Sequence, residues 1–221
     1  MFDYMKLIIL DFDGTLADTR EIIVQTNQEV QRLMGYPVTD EAGIMATVGY
    51  PLPECIKIMY PDLPDEQLPL WISTYREVFD SLKGTIVPKL FPHVKETLEA
   101  LVEKGCRLTV ASSRGRESLT LFLKDMGIAP LISYVLGEED VKLAKPHPEP
   151  VLKTLRDLHA DASEALVVGD MPVDIQMGRG AGVRTCGVSF GNSGREDLMC
   201  AGADYIIDDF SELLEIVTNN I

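Results

Sequence analysis

Cysteine is sparse: Cys55, Cys106, Cys186 and Cys200 stand far apart, with no Cys-x-x-Cys pair. That spacing argues against a disulfide framework and reads as reduced thiols in a cytoplasmic protein. Cys106 and Cys186 lie in or beside apolar runs, as core residues do. Histidine is also scarce, and His93, His147 and His159 show no ligand spacing, so they read as surface or loop residues. No apolar run approaches the length of a membrane span, and Asp11 interrupts the only candidate near the N-terminus. With no basic region ahead of a long apolar stretch, the chain reads as soluble and unexported. Positive charge is in deficit: 20 Lys and Arg against 35 Asp and Glu give a formal charge of −15. Such a surface carries no footprint for nucleic acid or an anionic membrane. An anionic substrate therefore needs a local positive site. Neither an internal repeat nor a low-complexity tract is visible.

What remains is a globular chain of 221 residues, 46% hydrophobic and 25% charged, long enough for one good core with a smaller insertion. The stretch Leu7-Ile8-Ile9-Leu10 is apolar at every position, the mark of a strand buried on both faces of a parallel sheet. It stops at Asp11-Phe12-Asp13-Gly14-Thr15. Open α/β sheets place ligands at the carboxyl ends of their strands, and two aspartates one residue apart project to one side while strand geometry lasts. Carboxylates so close repel each other, so a cation, a shared proton or a reactive partner is implied.

Between residues 18 and 84 the apolar spacing is helical throughout, with helices expected over 18–34, 41–47, 53–59 and 65–82. This block is too long for an ordinary connection. It reads as a helical cap subdomain, 18–84, inserted in an α/β core of residues 1–17 and 85–221. Beyond Gly84, strands expected at 107–111, 132–136, 165–168, 184–188 and 205–207 alternate with helices at 94–104, 117–126, 149–158, 173–181 and 210–217. The fold class is therefore α/β: a Rossmann-like parallel sheet with helices on both faces. In the insertion, Trp71 and Tyr75 read as core.

A parallel sheet gathers its strand-end groups on one edge. Here these are Asp11 and Asp13, Ser112, and Asp170 with Asp174 four residues on, joined by Lys145 from the loop Leu143-Ala144-Lys145-Pro146. Carboxylates, a hydroxyl and a fixed lysine suit phosphoryl transfer. A carboxylate attacking a phosphate dianion meets about 4 kcal/mol of repulsion per charge pair at about 4 Å and an effective dielectric of about 20. Oxygen ligands such as Asp11, Asp170 and a backbone carbonyl suit Mg²⁺, and Lys145 adds a second positive charge. Ser112 and nearby backbone amides can hold the remaining phosphoryl oxygens. Asp11 then attacks in line to form an aspartyl phosphate, while Asp13 protonates the leaving oxygen and later deprotonates water. Gly14 and Thr15 shape the turn. Arg20, Arg114 and Arg116 are open between contacting a substrate anion and facing water.

Asp11-Phe12-Asp13-Gly14-Thr15-Leu16, Ser112, Lys145-Pro146 and Gly169-Asp170 with Asp174 together resemble the haloacid dehalogenase-like phosphatases, nearly end to end. Val48-Gly49-Tyr50-Pro51-Leu52, Phe190-Gly191 and Ala201-Gly202-Ala203-Asp204 are similar to segments of the phosphoglycolate phosphatase-like group. The resemblance implies Asp11 as nucleophile and Asp13 as acid/base. Mg²⁺ is then held by Asp11, Asp170 and the Asp13 carbonyl, and substrate phosphate by Ser112, Ser113 and Lys145. Asp174 and Thr15 act in support. Met171 departs from the Ser or Thr of many relatives and bears on bonding around the metal. Asp at position 13 argues against true dehalogenases. The implied substrate is a small-molecule phosphate ester, such as phosphoglycolate, a nucleotide, a sugar phosphate or pyrophosphate, and the implied enzyme is a monomer or homodimer. A β-phosphoglucomutase-type phosphomutase is the alternative. A receiver-type signalling module shares some of this chemistry but lacks so long a helical insertion after its first strand.

Overall fold

In the computed structural model, which describes residues 6–219, β1 (Leu7–Leu10) is wholly buried. β2 (Ala17–Asp18), α1 (Arg20–Leu33), α2 (Glu41–Met45), α3 (Leu52–Met59), α4 (Leu68–Leu82) and β3 (Lys89–Leu90) follow. The chain continues through α5 (Val94–Glu103), β4 (Arg107–Ala111), α6 (Arg116–Asp125), β5 (Ile132–Leu136), α7 (Glu149–Leu158) and β6 (Ala165–Gly169). The last described elements are α8 (Pro172–Gly180), β7 (Arg184–Val188), α9 (Arg195–Ala201), β8 (Tyr205–Ile207) and α10 (Leu213–Asn219). The outermost positions of the expected core segments, 1–5 and 220–221, lie outside the described residues.

Six strands form one parallel sheet in the order β5-β4-β1-β6-β7-β8. The unbroken apolar run of β1 has a direct cause, since its alternate side chains enter two different cores. Ile8 and Leu10 join Leu108, Val110, Leu166 and Val168 beneath α5, α6 and α10. Leu7 and Ile9 join Ala165 and Val167 against Val151 and Leu155 of α7 and Met177 of α8. This is the α/β parallel sheet with helices on both faces that the sequence predicts.

Register brings the strand ends level. Leu10 pairs with Val110 of β4 on one side and with Val168 of β6 on the other. The residues just past those strands, Asp11, Ser112 and Asp170, therefore leave the sheet along one edge.

The helices α1–α4 carry an apolar cluster of their own, in which Val30, Ile56 and Val78 surround Trp71. Tyr36 and Tyr60 pack on Trp71 with ring centroids 5.0 Å away. Trp71 is a core residue, as expected. The expected first helix, 18–34, is shorter than its apolar pattern, because Ala17–Asp18 pairs antiparallel with Lys89–Leu90 before α1 begins. Likewise 65–82 opens with a 3-10 turn over Asp65–Gln67, and 210–217 with one over Phe210–Glu212. α9 was not anticipated from the sequence; its seven residues bury only Leu198, too little for a helical stripe.

Candidate active site

Asp11 follows β1 directly and is buried. The chain then turns sharply, with the Leu16 and Ala17 amides both donating to the Phe12 carbonyl and the Gly14 amide to the Ala17 carbonyl. Gly14 occupies the left-handed region at φ +86°, and a Cβ there would stand 2.2 Å from Asp170 Oδ2. Only glycine lets this turn close over Asp170. Thr15, wholly buried one position on, donates to Asp170 Oδ1 at 3.2 Å and reaches Asp11 Oδ2 at 3.5 Å.

Asp170 and Asp174 come from the β6–α8 junction and have no solvent exposure. The Asn192 amide donates to Asp170 Oδ2 at 2.7 Å, and the Met171 amide to Asp174 Oδ2 at 3.1 Å, so the start of α8 holds Asp174 inward. Met171 itself is buried, with the Ser193 hydroxyl 3.0 Å from its sulfur. Lys145, also buried, lies 2.5 Å from Asp11 Oδ1 and 2.7 Å from Asp174 Oδ1.

Asp11, Asp170 and Asp174 each offer a carboxylate oxygen within 4.8 Å of the others. Burial pushes Asp11 up to about 7 despite Lys145, with Asp174 and Asp13 adding repulsion. Burial, then repulsion from Asp11 and Asp174, raises Asp170 well above the usual carboxylate range. Burial pulls Lys145 downward, but its two aspartate partners outweigh that and keep it protonated. Ionising all three carboxylates around one ammonium would leave two negative charges uncompensated in a buried place, which is costly without a counter-ion. Among the described residues Asp174 Oδ1 has no hydrogen-bond partner, its contact with Lys145 lying outside hydrogen-bond geometry. This all-oxygen cluster, whose ionisation a bound cation would favour, fits a hard divalent cation such as Mg²⁺.

Asp13 is differently placed. Thr19 donates to its Oδ1 at 2.7 Å, while Arg114 forks onto it, Nε to Oδ2 at 3.1 Å and Nη2 to Oδ1 at 2.5 Å. Ser112 is buried beside the cluster, and its oxygen accepts from the Arg114 amide at 3.1 Å. The Ser113 hydroxyl donates at 2.6 Å to the Gly49 carbonyl in the loop between α2 and α3.

Asp11, Asp13, Ser112, Ser113 and Arg114 share the wall of a cavity of about 730 Å³ with Val48, Tyr75, Phe79 and other residues of the helical segment. The structure thus brings the predicted site residues together: Asp11, Lys145, Asp170, Asp174 and Thr15 in the buried cluster, and Asp13, Ser112 and Ser113 beside it. Of the open arginines, Arg114 turns into the site, Arg116 pairs with Asp140, and exposed Arg20 pairs with Glu41. Tyr75 is not purely a core residue, since it lines the cavity and stacks on Phe79. The Asn192 amide was missed, and no side-chain pattern signals it. His93 and His159 are exposed left-handed positions, and exposed His147 accepts from the Glu149 amide.

The family model described as haloacid dehalogenase-like hydrolase matches residues 8–188. Pyrophosphatase PpaX of Anoxybacillus flavithermus is 32% identical over 96% of this chain and 97% of its own. A protein of Dickeya dadantii named "Probable phosphatase IndB" is 35% identical over 94% of this chain and 91% of its own. A solved structure from Haemophilus somnus, described as "a predicted phosphoglycolate phosphatase", superposes with a TM-score of 0.90 at 25% identity, covering 99% of this chain and 100% of that one. Similarity to these phosphatases extends over nearly the whole chain. This protein belongs to the haloacid dehalogenase-like hydrolase family, as an enzyme of its phosphatase-like group.

Proposed function

We propose that the chain is a Mg²⁺-dependent phosphatase of a small phosphorylated metabolite, working through an aspartyl phosphate on Asp11. The observation that carries this reading is the buried group of Asp11, Asp170 and Asp174 with Lys145, three carboxylates against one ammonium, with Asp11 reaching the wall of the cavity. Asp11 and Asp170, with the Asp13 carbonyl, would hold the ion and Asp174 would support it. When bound, Mg²⁺ would supply positive charge that lets a carboxylate approach a phosphate dianion.

The remaining work falls to this chain's own groups. Asp11 forms the new P–O bond as the bond to the leaving group breaks, with Lys145 fixing the aspartate and neutralising charge. Ser112 accepts from the Arg114 amide, which leaves its O–H to donate to a phosphoryl oxygen. Ser113 commits its hydroxyl to Gly49. Its backbone N–H, with no partner among the described residues, is what it offers phosphate. Asp13 gives a proton to the leaving oxygen and afterwards takes one from the hydrolytic water.

The domain division expected at 18–84 is part of the proposal: α1–α4 act as a cap that shields the intermediate, on a core of 1–17 and 85–221. Free thiols and the lack of a helix long and apolar enough to cross a membrane, among the described residues, support a cytoplasmic setting. The names of the relatives put phosphoglycolate-like esters and pyrophosphate among the substrates to assay. The purified protein should release p-nitrophenol from p-nitrophenyl phosphate with Mg²⁺ and stop when EDTA is added. Full activity in Asp11→Asn sinks the proposal.

A further inference from the structure

Arg114 carries an arrangement that the hydrolytic scheme leaves unused. One edge of its guanidinium, Nε and Nη2, is spent on the two oxygens of Asp13. The Nη1 group makes no hydrogen bond among the described residues, although Arg114 lines the cavity. The flat group packs against a pair of touching rings, 5.3 Å from the centroid of Phe79 on α4 and 5.0 Å from that of Phe122 on α6. Only 10% of the side chain is exposed. Other cations of the cavity wall are placed differently: Lys83 is paired with Asp80, and Arg76 and Lys124 are exposed. A dry, pre-oriented guanidinium fork suits recognition of a second planar or tetrahedral anion.

Its grip on Asp13 has a consequence. With Thr19 also donating to Oδ1, both oxygens of Asp13 accept hydrogen bonds, and the closed fork holds the carboxylate against Arg114. An anionic group on the leaving portion of the substrate competes for the same fork. We propose that Arg114 is a specificity residue that binds a second anionic group of the substrate, a carboxylate or phosphate beyond the scissile bond, and in doing so releases Asp13. Substrates with such a group are turned over faster because they bring the acid into play as well as binding better. This deepens the phosphatase reading and rests on it.

The test compares two esters of nearly one shape, 2-phosphoglycolate with its carboxylate and 2-hydroxyethyl phosphate with a neutral hydroxymethyl group in its place. A charge-assisted pair is worth a factor of about 10 to 100, so wild-type kcat/KM should favour phosphoglycolate by that ratio, with kcat contributing as well as KM. Arg114→Gln should collapse the ratio below about 3, and Arg114→Lys, which keeps charge without the fork, should hold an intermediate value. A merely structural Arg114 would depress both esters equally and leave the ratio unmoved, and that result overturns the inference. Where Arg114→Gln does not fold, Arg114→Lys makes the comparison, because Arg76, Lys83 and Lys124 also line the cavity and only a change at position 114 assigns the ratio to Arg114. A wild-type ratio near one with p-nitrophenyl phosphate still turned over removes this inference alone. Inertness toward all three esters removes the phosphatase reading and this inference together.

Discussion

The Ser113 hydroxyl is bonded to the Gly49 carbonyl at 2.6 Å, a direct tie between the loop after β4 and the helical segment. Gly49 sits at φ +101° with Val173 and Met171 beneath it, so this loop rests on the start of α8 as well. Ser113→Ala removes the tie and leaves a carbonyl that water can reach. The expected cost is about 1 kcal/mol. Amides around 47–52 should exchange faster by roughly three- to tenfold as the loop opens more often. Unchanged exchange there would show that packing on Met171 and Val173 holds the loop without the hydrogen bond.

Gly14 answers to a harder constraint. A methyl group at this position meets Asp170 Oδ2 at 2.2 Å and Asn192 Nδ2 at 2.3 Å, in a backbone region L side chains avoid. Left-handed backbone and overpacking together put Gly14→Ala at about 2–4 kcal/mol in denaturant unfolding. Relief by shifting Asp170 displaces a proposed metal ligand, so Mg²⁺ should stabilise the variant at least tenfold more weakly in apparent Kd, on the order of a supporting-residue loss. Wild-type Mg²⁺ affinity in the variant would contradict the placement of Asp170.

The contrast between these residues and Arg114 explains which parts of the molecule can be read from sequence. β1 was legible because being buried on both faces demands four apolar residues in a row, and Asp11 because it ends that run. Lys145, Asp170 and Asp174 were legible as strand-end and loop groups that a parallel sheet must gather. Arg114 was not. The destination of a long side chain depends on Asp13, Phe79 and Phe122, which lie far apart in sequence. β2 and β3 were invisible because a two-residue strand has no period to detect. α9 buries a single residue, and the Asn192 amide acts through backbone common to every residue type.

Cys55 borders the cavity, yet its thiol is poorly disposed to react. Its sulfur lies 3.1 Å from the Thr47 carbonyl and 3.3 Å from the Tyr50 carbonyl as a donor, and burial pushes the thiol up to about 11. Reactivity follows the thiolate, so iodoacetamide at pH 7.5 (roughly three units below that value) should label Cys55 far more slowly than exposed Cys200. Peptide mass spectrometry over a time course gives the two rates. Equal rates would mean that the Cys55 loop opens freely.

The strongest pH dependence should come from the acids themselves. Asp11, raised to about 7, and Asp170, raised well above the usual carboxylate range by burial and its neighbours, prefer to be protonated in the folded chain and titrate near 3.8 when it unfolds. Such groups contribute stability that is complete below their unfolded values and is lost as pH rises through the folded ones. Metal-free protein should therefore melt at lower temperature at pH 8 than at pH 5.5, and Mg²⁺ should raise Tm more at pH 8, where the ligands are ionised. Asp170→Asn removes one buried charge while keeping an oxygen that can accept from Thr15. In EDTA at pH 8 this variant should be the more stable protein, by about 1–4 kcal/mol as for other relieved buried charges, and its Tm should respond little to Mg²⁺. It should also be inactive. A variant less stable than wild type in EDTA at pH 8 would show that Lys145 already compensates the cluster, so that its charge calls for no divalent ion.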